Sequence, residues 1–251
     1  MEFLGHVVSE GGVEVNPDKV KTINEMPRPK TVTDVGAFIG LCSYYRRFVK
    51  DFSKIVRPLT QLTMKDVNQK KIPWGHEQEE AFKLLKLALI SPPILAYPQL
   101  LGDRFILDTD ASAFAIGVLS QVQDGKERVI AYASRTLTKE ERGYNTTRRE
   151  LLAVITFINN FRHYLLGRKF LLRTDHGSLT WIHTTKKITG QSFRWLQQLA
   201  DYQFDIQHRA GAKHGNADGL SRLPLDIEES GVKPLEVVEE ESIGRIVDIE
   251  E

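Results

Sequence analysis

The fold is decided by residues 105–123, which read FILDTDASAFAIGVLSQVQ and are followed by Asp124-Gly125. Residues 105–107 predict the start of one strand, and residues 116–123 predict a second. An Asp-Gly pair between two apolar runs is typical of a tight hairpin turn. Residues 128–133 then predict a third strand, so the stretch indicates three consecutive strands joined by short connections.

The residues that follow alternate between helical and strand patterns. A long amphipathic helix is predicted from the apolar residues Leu151, Val154, Ile155, Ile158, Phe161 and Leu165, with Gly167 closing it. A strand is predicted at 170–174, a helix at 192–202, a strand at 204–208 and a last helical turn at 217–220. Hairpin-joined strands followed by this alternation indicate an α/β fold, a mixed five-stranded sheet with flanking helices.

The residues before Gly102 follow a helical pattern. Asn16-Pro17 predicts the start of a short helix that ends near Met26. A second helix is predicted to begin at Thr31 or Thr33, and a third is predicted over residues 76–90. These segments indicate a small helical region in front of the sheet.

The formal net charge of +1 is unevenly distributed along the chain. Residues 225–251 contain ten acidic and two basic residues, a net of −8, so residues 1–224 carry +9. A basic body suits a polyanionic partner, because each neutralised phosphate releases a counterion, although solvated surface charge is the alternative. The acidic, aromatic-poor tail predicts disorder.

A basic cluster in the helical region is interleaved with aromatic residues. It comprises Arg46, Arg47, Lys50 and Lys54 beside Tyr44, Tyr45, Phe48 and Phe52. Such a pattern can grip a nucleic-acid backbone, so Arg46, Arg47 and Lys50 are predicted to bind nucleic acid. The alternative is that each aromatic ring belongs to a helix core.

Composition excludes several classes of protein. Cys42 is the only cysteine, so an internal disulfide and a cysteine-based zinc site are excluded and a reducing compartment is expected. The N-terminus lacks the pattern of a signal peptide. No apolar run approaches the roughly 18 residues of a membrane-spanning helix, so no membrane partner is expected.

Four acidic residues stand where the predicted sheet would gather them at one edge. Asp110 lies near the end of the first strand, Glu150 in the first turn of the long helix, Asp175 at the end of the fourth strand and Asp218 at the start of the last helix. Crowded carboxylates repel unless cations neutralise them, and Mg²⁺ is the usual choice for phosphate chemistry. Two such ions roughly 4 Å apart can hydrolyse a phosphodiester, so a site for two Mg²⁺, with Mn²⁺ as an alternative, is predicted.

Each carboxylate also has a purely structural interpretation. Residues 147–150 fit a capping box, in which Glu150 would only cap its helix. Asp175 fits an N-cap, and Asp218 fits a residue favoured only by the helix dipole.

Asp108 competes with Asp110 for the site. Two residues apart in a strand, both point to one face. Asp110 is nearer the strand end, and the small residues Ala111 and Ser112 after it leave room for a phosphate, so Asp110 is favoured and Asp108 is the weaker candidate.

The run 108–112, followed by 117–121, resembles the opening of the RNase H domain in gypsy-type LTR retrotransposons. Later segments resemble the same family in the same order; they are residues 132–135, Tyr144 with 150–153, 161–165, 173–176 with Leu179, and 208–211 with 216–222. Upstream, residues 3–6 resemble the primer-grip hairpin of a reverse transcriptase, residues 19–63 its thumb, and Pro73-Trp74 with Ala81-Phe82 its connection.

The resemblance implies an RNase H-like fold and metal-assisted hydrolysis of the RNA strand of RNA–DNA hybrids. The metal-binding carboxylates that it implies are Asp110, Glu150, Asp175 and Asp218. His208 would relay protons or assist product release, with His214 competing for this role. Ser112 and Arg209 are further residues predicted to contact nucleic acid.

The resemblance also predicts a domain order. Residues 1–15 would be the remnant of a palm, 16–66 the thumb-like helices, 67–101 the connection, 102–224 the RNase H domain and 225–251 the acidic tail. No Asp-Asp dipeptide is present, so polymerase activity is not expected from this chain alone. The expected partners are template–primer nucleic acid and the rest of a Pol polyprotein, in a cytoplasmic retroelement particle or, alternatively, the nucleus.

Two other functions fit parts of the pattern. One is a non-catalytic module that only binds a template–primer. The other is a resolvase or integrase core of the same fold, which the thumb-like segment and the ending at residues 216–222 argue against.

Overall fold

The computed structural model describes residues 1–64, 72–175 and 190–208. Its first part contains a small antiparallel sheet of β1 (Glu2–Phe3), β2 (His6–Ser9) and β3 (Gly12–Val15). The helices that follow are α1 (Pro17–Glu25), α2 (Val32–Tyr44), α3 (Phe52–Gln61) and α4 (His76–Ile90), with a 3-10 turn (Arg46–Phe48) between α2 and α3.

Local capping explains where the first helices begin. The Asn16 side chain accepts a hydrogen bond from the Asp18 N–H at 2.8 Å, and Pro17 occupies the first helical turn. The Thr31 hydroxyl accepts from the Asp34 N–H at 3.1 Å, and Asp34 accepts from the Thr31 N–H at 2.9 Å. This capping box selects Thr31 over Thr33 as the start of α2.

The second part contains a five-stranded mixed sheet, which confirms the predicted α/β fold. Its strands are β4 (Phe105–Ala111), β5 (Phe114–Gln123), β6 (Lys126–Thr136), β7 (Lys169–Thr174) and β8 (Gln203–His208). The spatial order is β6-β5-β4-β7-β8; β4 pairs antiparallel with β5 and parallel with β7. The β5–β6 turn places Asp124 at φ 52° and Gly125 at φ 73°, as the Asp-Gly signal predicts.

The predicted single helix over residues 151–165 is wrong in its continuity. The helices flanking the sheet are α5 (Lys139–Arg142), α6 (Thr146–Asn160), α7 (Arg162–Leu165) and α8 (Gln191–Leu199). The break falls at Phe161, whose backbone leaves the helical region at φ −100° and ψ 17°. The side chain of Phe161 is nevertheless buried in the core. The apolar pattern therefore continues through Phe161 although the backbone leaves the helix there.

The described residues bury two hydrophobic cores, which divide between Leu95 and Ala96. In one core, α6 packs across β4 and β5; the other is built from the preceding helices. The helices contact the edge strand β6, where the Ser53 N–H donates to the Ser134 hydroxyl at 2.9 Å. The domain boundaries inferred from the resemblance stay predictions.

Some expectations lie outside the described residues, namely the last helical turn at 217–220 and the acidic tail at 225–251. Within the described ranges, no helix is both long and apolar enough to cross a membrane.

Candidate metal centre

Three of the four predicted carboxylates come together at one edge of the sheet. Asp110 is the penultimate residue of β4, Asp175 directly follows β7, and Glu150 projects from α6. One oxygen from each lies within 4.8 Å of the other two. The edge forms because β4 and β7 are parallel neighbours, so their carboxyl ends coincide. Asp218 lies outside the described residues, and its role stays a prediction.

Glu150 is the most buried of the three and is held by the backbone of β4. Its Oε1 accepts a hydrogen bond from the Ala111 N–H at 3.1 Å. Its Oε2 is buried and has no hydrogen-bond partner within the described structure. Burial, followed by repulsion from Asp110 and Asp175, raises the pKa of Glu150 to about 8, against the opposing effects of the Ala111 N–H and Arg149.

The capping interpretation of Glu150 is wrong. The N-cap of α6 is Asn145, whose side chain accepts from the Arg148 N–H at 2.9 Å. Glu150 is therefore two residues deeper in the helix than the capping box predicted, and its carboxylate turns to the strand end instead of the helix terminus.

Asp108 is not one of the clustered residues. It lies beside Arg173 in the parallel register of β4 and β7. The Arg173 Nε donates to Asp108 Oδ1 at 2.8 Å and Nη2 donates to Oδ2, with both side chains buried. The preference for Asp110 over Asp108 agrees with this arrangement.

His208 lies at the edge of the centre. It ends β8, beside Thr174 in the register with β7. Its Nε2 is 2.8 Å from the Asp175 carbonyl oxygen. A carbonyl can only accept, so Nε2 carries the proton and Nδ1 remains as the second ring nitrogen. The competitor His214 lies outside the described residues.

The residues predicted to bind nucleic acid are placed differently from one another. Arg46 and Lys50 are exposed, whereas Arg47 is half-buried and its Nη2 donates to the Ile130 carbonyl at 3.4 Å. Ser112 is exposed directly beyond β4, and Arg209 lies outside the described residues. Of the four interleaved aromatic residues, only Tyr44 is exposed; the other three belong to the core, and they are Tyr45, Phe48 and Phe52.

The sequence reasoning missed Arg173 and Arg149. The Arg149 Nη1 donates to the Ser112 carbonyl at 3.3 Å, which ties α6 to the loop after β4. For Arg173 a signal existed, because a charged residue inside a buried strand needs a charged or hydrogen-bonding partner. Asp108 is likewise a charged residue inside a buried strand, so the two could have been predicted to pair.

This donor set fits a divalent cation. Carboxylate oxygens are the ligands that hard cations such as Mg²⁺ prefer, and three of them converge here. The buried Glu150 Oε2 lacks a donor among the described residues, and a cation would also relieve the mutual repulsion of the three charges.

Comparisons with known proteins agree with this fold. Residues 101–202 match the family model described as the RNase H-like domain found in reverse transcriptase. The solved foamy viral protease–reverse transcriptase in complex with RNA/DNA hybrid superposes with a TM-score of 0.72 at 20% identity, covering 94% of this chain and 32% of that one. The dRH form of the same viral enzyme, in complex with double-stranded DNA, superposes with a TM-score of 0.71 at 21% sequence identity. That match covers 83% of this chain and 37% of the viral chain. These likenesses show the fold.

Sequence relatives extend the match over most of the chain. The retrovirus-related Pol polyprotein from transposon 297 of Drosophila melanogaster is 40% identical over 227 residues, which is 89% of this chain and 21% of the relative. The Pol polyprotein from transposon gypsy of the same organism is 38% identical over 238 residues, which is 90% of this chain and 22% of the relative. The chain thus spans about a fifth of the length of these relatives. It is a member of the Pol polyprotein family of LTR retrotransposons and carries the RNase H-like domain found in reverse transcriptase.

Proposed function

We propose that the chain hydrolyses the RNA strand of RNA–DNA hybrids with the help of two divalent cations, Mg²⁺ or alternatively Mn²⁺. The observation that carries the proposal is the convergence of Asp110, Glu150 and Asp175 at the carboxyl ends of two parallel strands. Asp218 is the fourth proposed ligand. When bound, such cations lower the pKa of a water molecule and neutralise charge on the phosphodiester.

The chain's own residues prepare this site. The Ala111 N–H holds Oε1 of Glu150. This leaves Oε2, which accepts no hydrogen bond from the described residues, for a cation. The exposed Ser112 follows Asp110 with a small side chain, which leaves space for a phosphate. His208 is oriented by the Asp175 carbonyl, and we assign its other nitrogen to proton exchange as the RNA product, ending in a 3′-hydroxyl, departs.

A groove supports nucleic acid as the partner. It has a volume of about 760 Å³ and is lined by residues 44–52, by the edge strand β6 and by residues 156–164 of the α6–α7 segment. Its lining contains three arginines and a histidine but no acidic residue. The cationic residues in it are Arg46, Arg47, Arg135 and His163. Selection of hybrid over other duplexes would rest on groove shape and 2′-hydroxyl contacts.

The test is cleavage of an end-labelled RNA annealed to DNA, with Mg²⁺ and the 251-residue chain. We expect cleavage by the wild type and a rate at least about a hundredfold lower for Asp110→Asn, because removing one ligand charge weakens transition-state stabilisation by several kcal/mol. RNA–RNA and DNA–DNA duplexes of the same sequence should stay intact.

The controls separate the competing functions. Binding of the hybrid without cleavage across a Mg²⁺ and Mn²⁺ titration would support the non-catalytic template–primer module. Preferential cutting of branched DNA would support a resolvase-like activity. Equal rates for the wild type and Asp110→Asn would refute the proposal.

A further inference from the structure

A hydrogen-bonded network, buried at Asp108, Ser120 and Arg173, crosses four neighbouring strands of the sheet beside the metal centre. Arg173 on β7 binds Asp108 on β4 through Nε and Nη2. The same guanidinium donates to Glu127 on β6, at 2.9 Å from Nη1 and 2.5 Å from Nη2. The Ser120 hydroxyl on β5 donates to Glu127 at 2.8 Å.

The network lies one step along the strands from the proposed ligands. Asp110 follows Asp108 by two residues on β4, and Asp175 follows Arg173 by two residues. Two residues of strand span about 7 Å. Asp108 and Arg173 are register partners, so their bidentate pair sets the alignment of the two strands immediately before each strand delivers its ligand.

This placement answers a physical problem of the centre. When ionised, Asp110, Glu150 and Asp175 carry like charges on oxygens that lie within 4.8 Å of one another, and this repulsion acts to separate the ends of β4 and β7. Backbone pairing of β4 with β7 ends at Thr109 and Thr174. The ion pair of Asp108 with Arg173 stands one register position before that end and links the two strands against the separation.

We infer that Arg173 is a positioning residue, which acts through Asp108 and Glu127 to keep Asp110 and Asp175 close enough to share a divalent cation. This inference rests on the proposed function and names the residue that maintains the ligand geometry. The planar fork of arginine matters here, because it engages two carboxylates at once, whereas a lysine ammonium is a compact point charge.

The experiment measures Mn²⁺ binding by calorimetry and hybrid cleavage against Mg²⁺ concentration. For Arg173→Lys we expect about a tenfold higher Kd for Mn²⁺ and about a tenfold higher half-saturating Mg²⁺ concentration, the size typical of residues that support metal ligands. At saturating Mg²⁺ the KM for the hybrid should stay within about twofold of the wild type, because Arg173 is buried and its guanidinium is engaged by Asp108 and Glu127.

The matched control is Arg104→Lys. Arg104, directly before β4, also forms an ion pair across this sheet, to Asp205 at 2.8 Å, but both side chains are half-exposed. Arg104 precedes Asp110 by six residues, about 20 Å of strand. Its Mn²⁺ affinity should equal that of the wild type. Glu127→Gln leaves the ion pair of Arg173 with Asp108 in place and should raise the Kd for Mn²⁺ by a smaller factor. If Arg173→Lys fails to fold, the Mn²⁺ affinity of Glu127→Gln tests the positioning role instead.

The outcomes are distinct for the two proposals. A folded Arg173→Lys or Glu127→Gln variant that binds Mn²⁺ as tightly as the wild type overturns the positioning role. A wild type that binds Mn²⁺ yet leaves the hybrid intact overturns the proposed function alone, and the Mn²⁺ affinities still test Arg173. A wild type that binds no Mn²⁺ overturns both.

Discussion

Replacing Glu150 with glutamine is expected to abolish hybrid cleavage and, at the same time, to stabilise the metal-free protein in alkaline solution. Glutamine keeps the shape of the side chain and an oxygen that can accept from the Ala111 N–H. It removes the negative charge that burial and the neighbours Asp110 and Asp175 make unfavourable. Loss of a ligand charge should slow cleavage by about a thousandfold.

The sign of the stability effect follows from the pKa of Glu150. In the folded, metal-free protein this pKa is about 8, whereas the ordinary value is 4.5. The folded state therefore binds more protons than the unfolded state between these limits, and the stability of the wild type falls as the pH rises through them. The glutamine variant lacks this loss, so its advantage is absent below pH 4.5 and complete above pH 8. A pKa difference of this size corresponds to at most about 5 kcal/mol.

The measurement is urea unfolding of both proteins at several pH values between 4.5 and 9, with a chelator and then with Mg²⁺. Mg²⁺ should stabilise the wild type more as the pH rises, since a cation binds the ionised carboxylate, and it should stabilise the variant less. Glu140→Gln is a suitable control because Glu140 is a fully exposed carboxylate outside the centre. Equal pH profiles for the wild type and Glu150→Gln would contradict this account of the centre.

Replacing Gly117 with alanine is expected to destabilise the RNase H-like domain by about 3 kcal/mol. Gly117 lies in the middle of β5, where α6 crosses the sheet. A Cβ added there would stand 2.4 Å from Cγ of the Phe157 ring and 2.8 Å from both of its Cδ atoms. Because Phe157 is itself buried, the ring cannot swing into solvent, and α6 must move or the core must strain.

A second substitution tests this reason. Phe157→Ala removes Cγ and both Cδ atoms, so the double variant with Gly117→Ala should lose less stability than the sum of the two single losses, which denaturant unfolding of the three variants measures. Gly40→Ala serves as the control of opposite sign. Gly40 lies inside α2 with nothing within 4 Å of an added Cβ, so alanine should stabilise by about 0.5–1 kcal/mol. Strict additivity of Gly117→Ala and Phe157→Ala would rule out the proposed clash.

Caps and turns were predicted correctly from the sequence, because each depends on a few neighbouring residues. The Asn16 and Thr31 caps mark the starts of α1 and α2, and the Asp124-Gly125 turn joins β5 to β6. The spacing of apolar residues could not reveal the break at Phe161, because α6 and α7 bury their apolar residues in the same core. Periodicity reports which side chains are buried and does not report whether the backbone hydrogen bonds continue.

The sequence by itself determined the fold class, the family and the identity of the acidic residues to consider, because these depend on local pattern and on the order of motifs. Only the tertiary structure could show which of these acidic residues come together. It separated Asp110 from Asp108 through the Arg173 ion pair, and it released Glu150 from a capping role by directing it to the Ala111 N–H. Both outcomes depend on which strands are neighbours and in what register, and this long-range pairing is not encoded in the spacing of nearby residues.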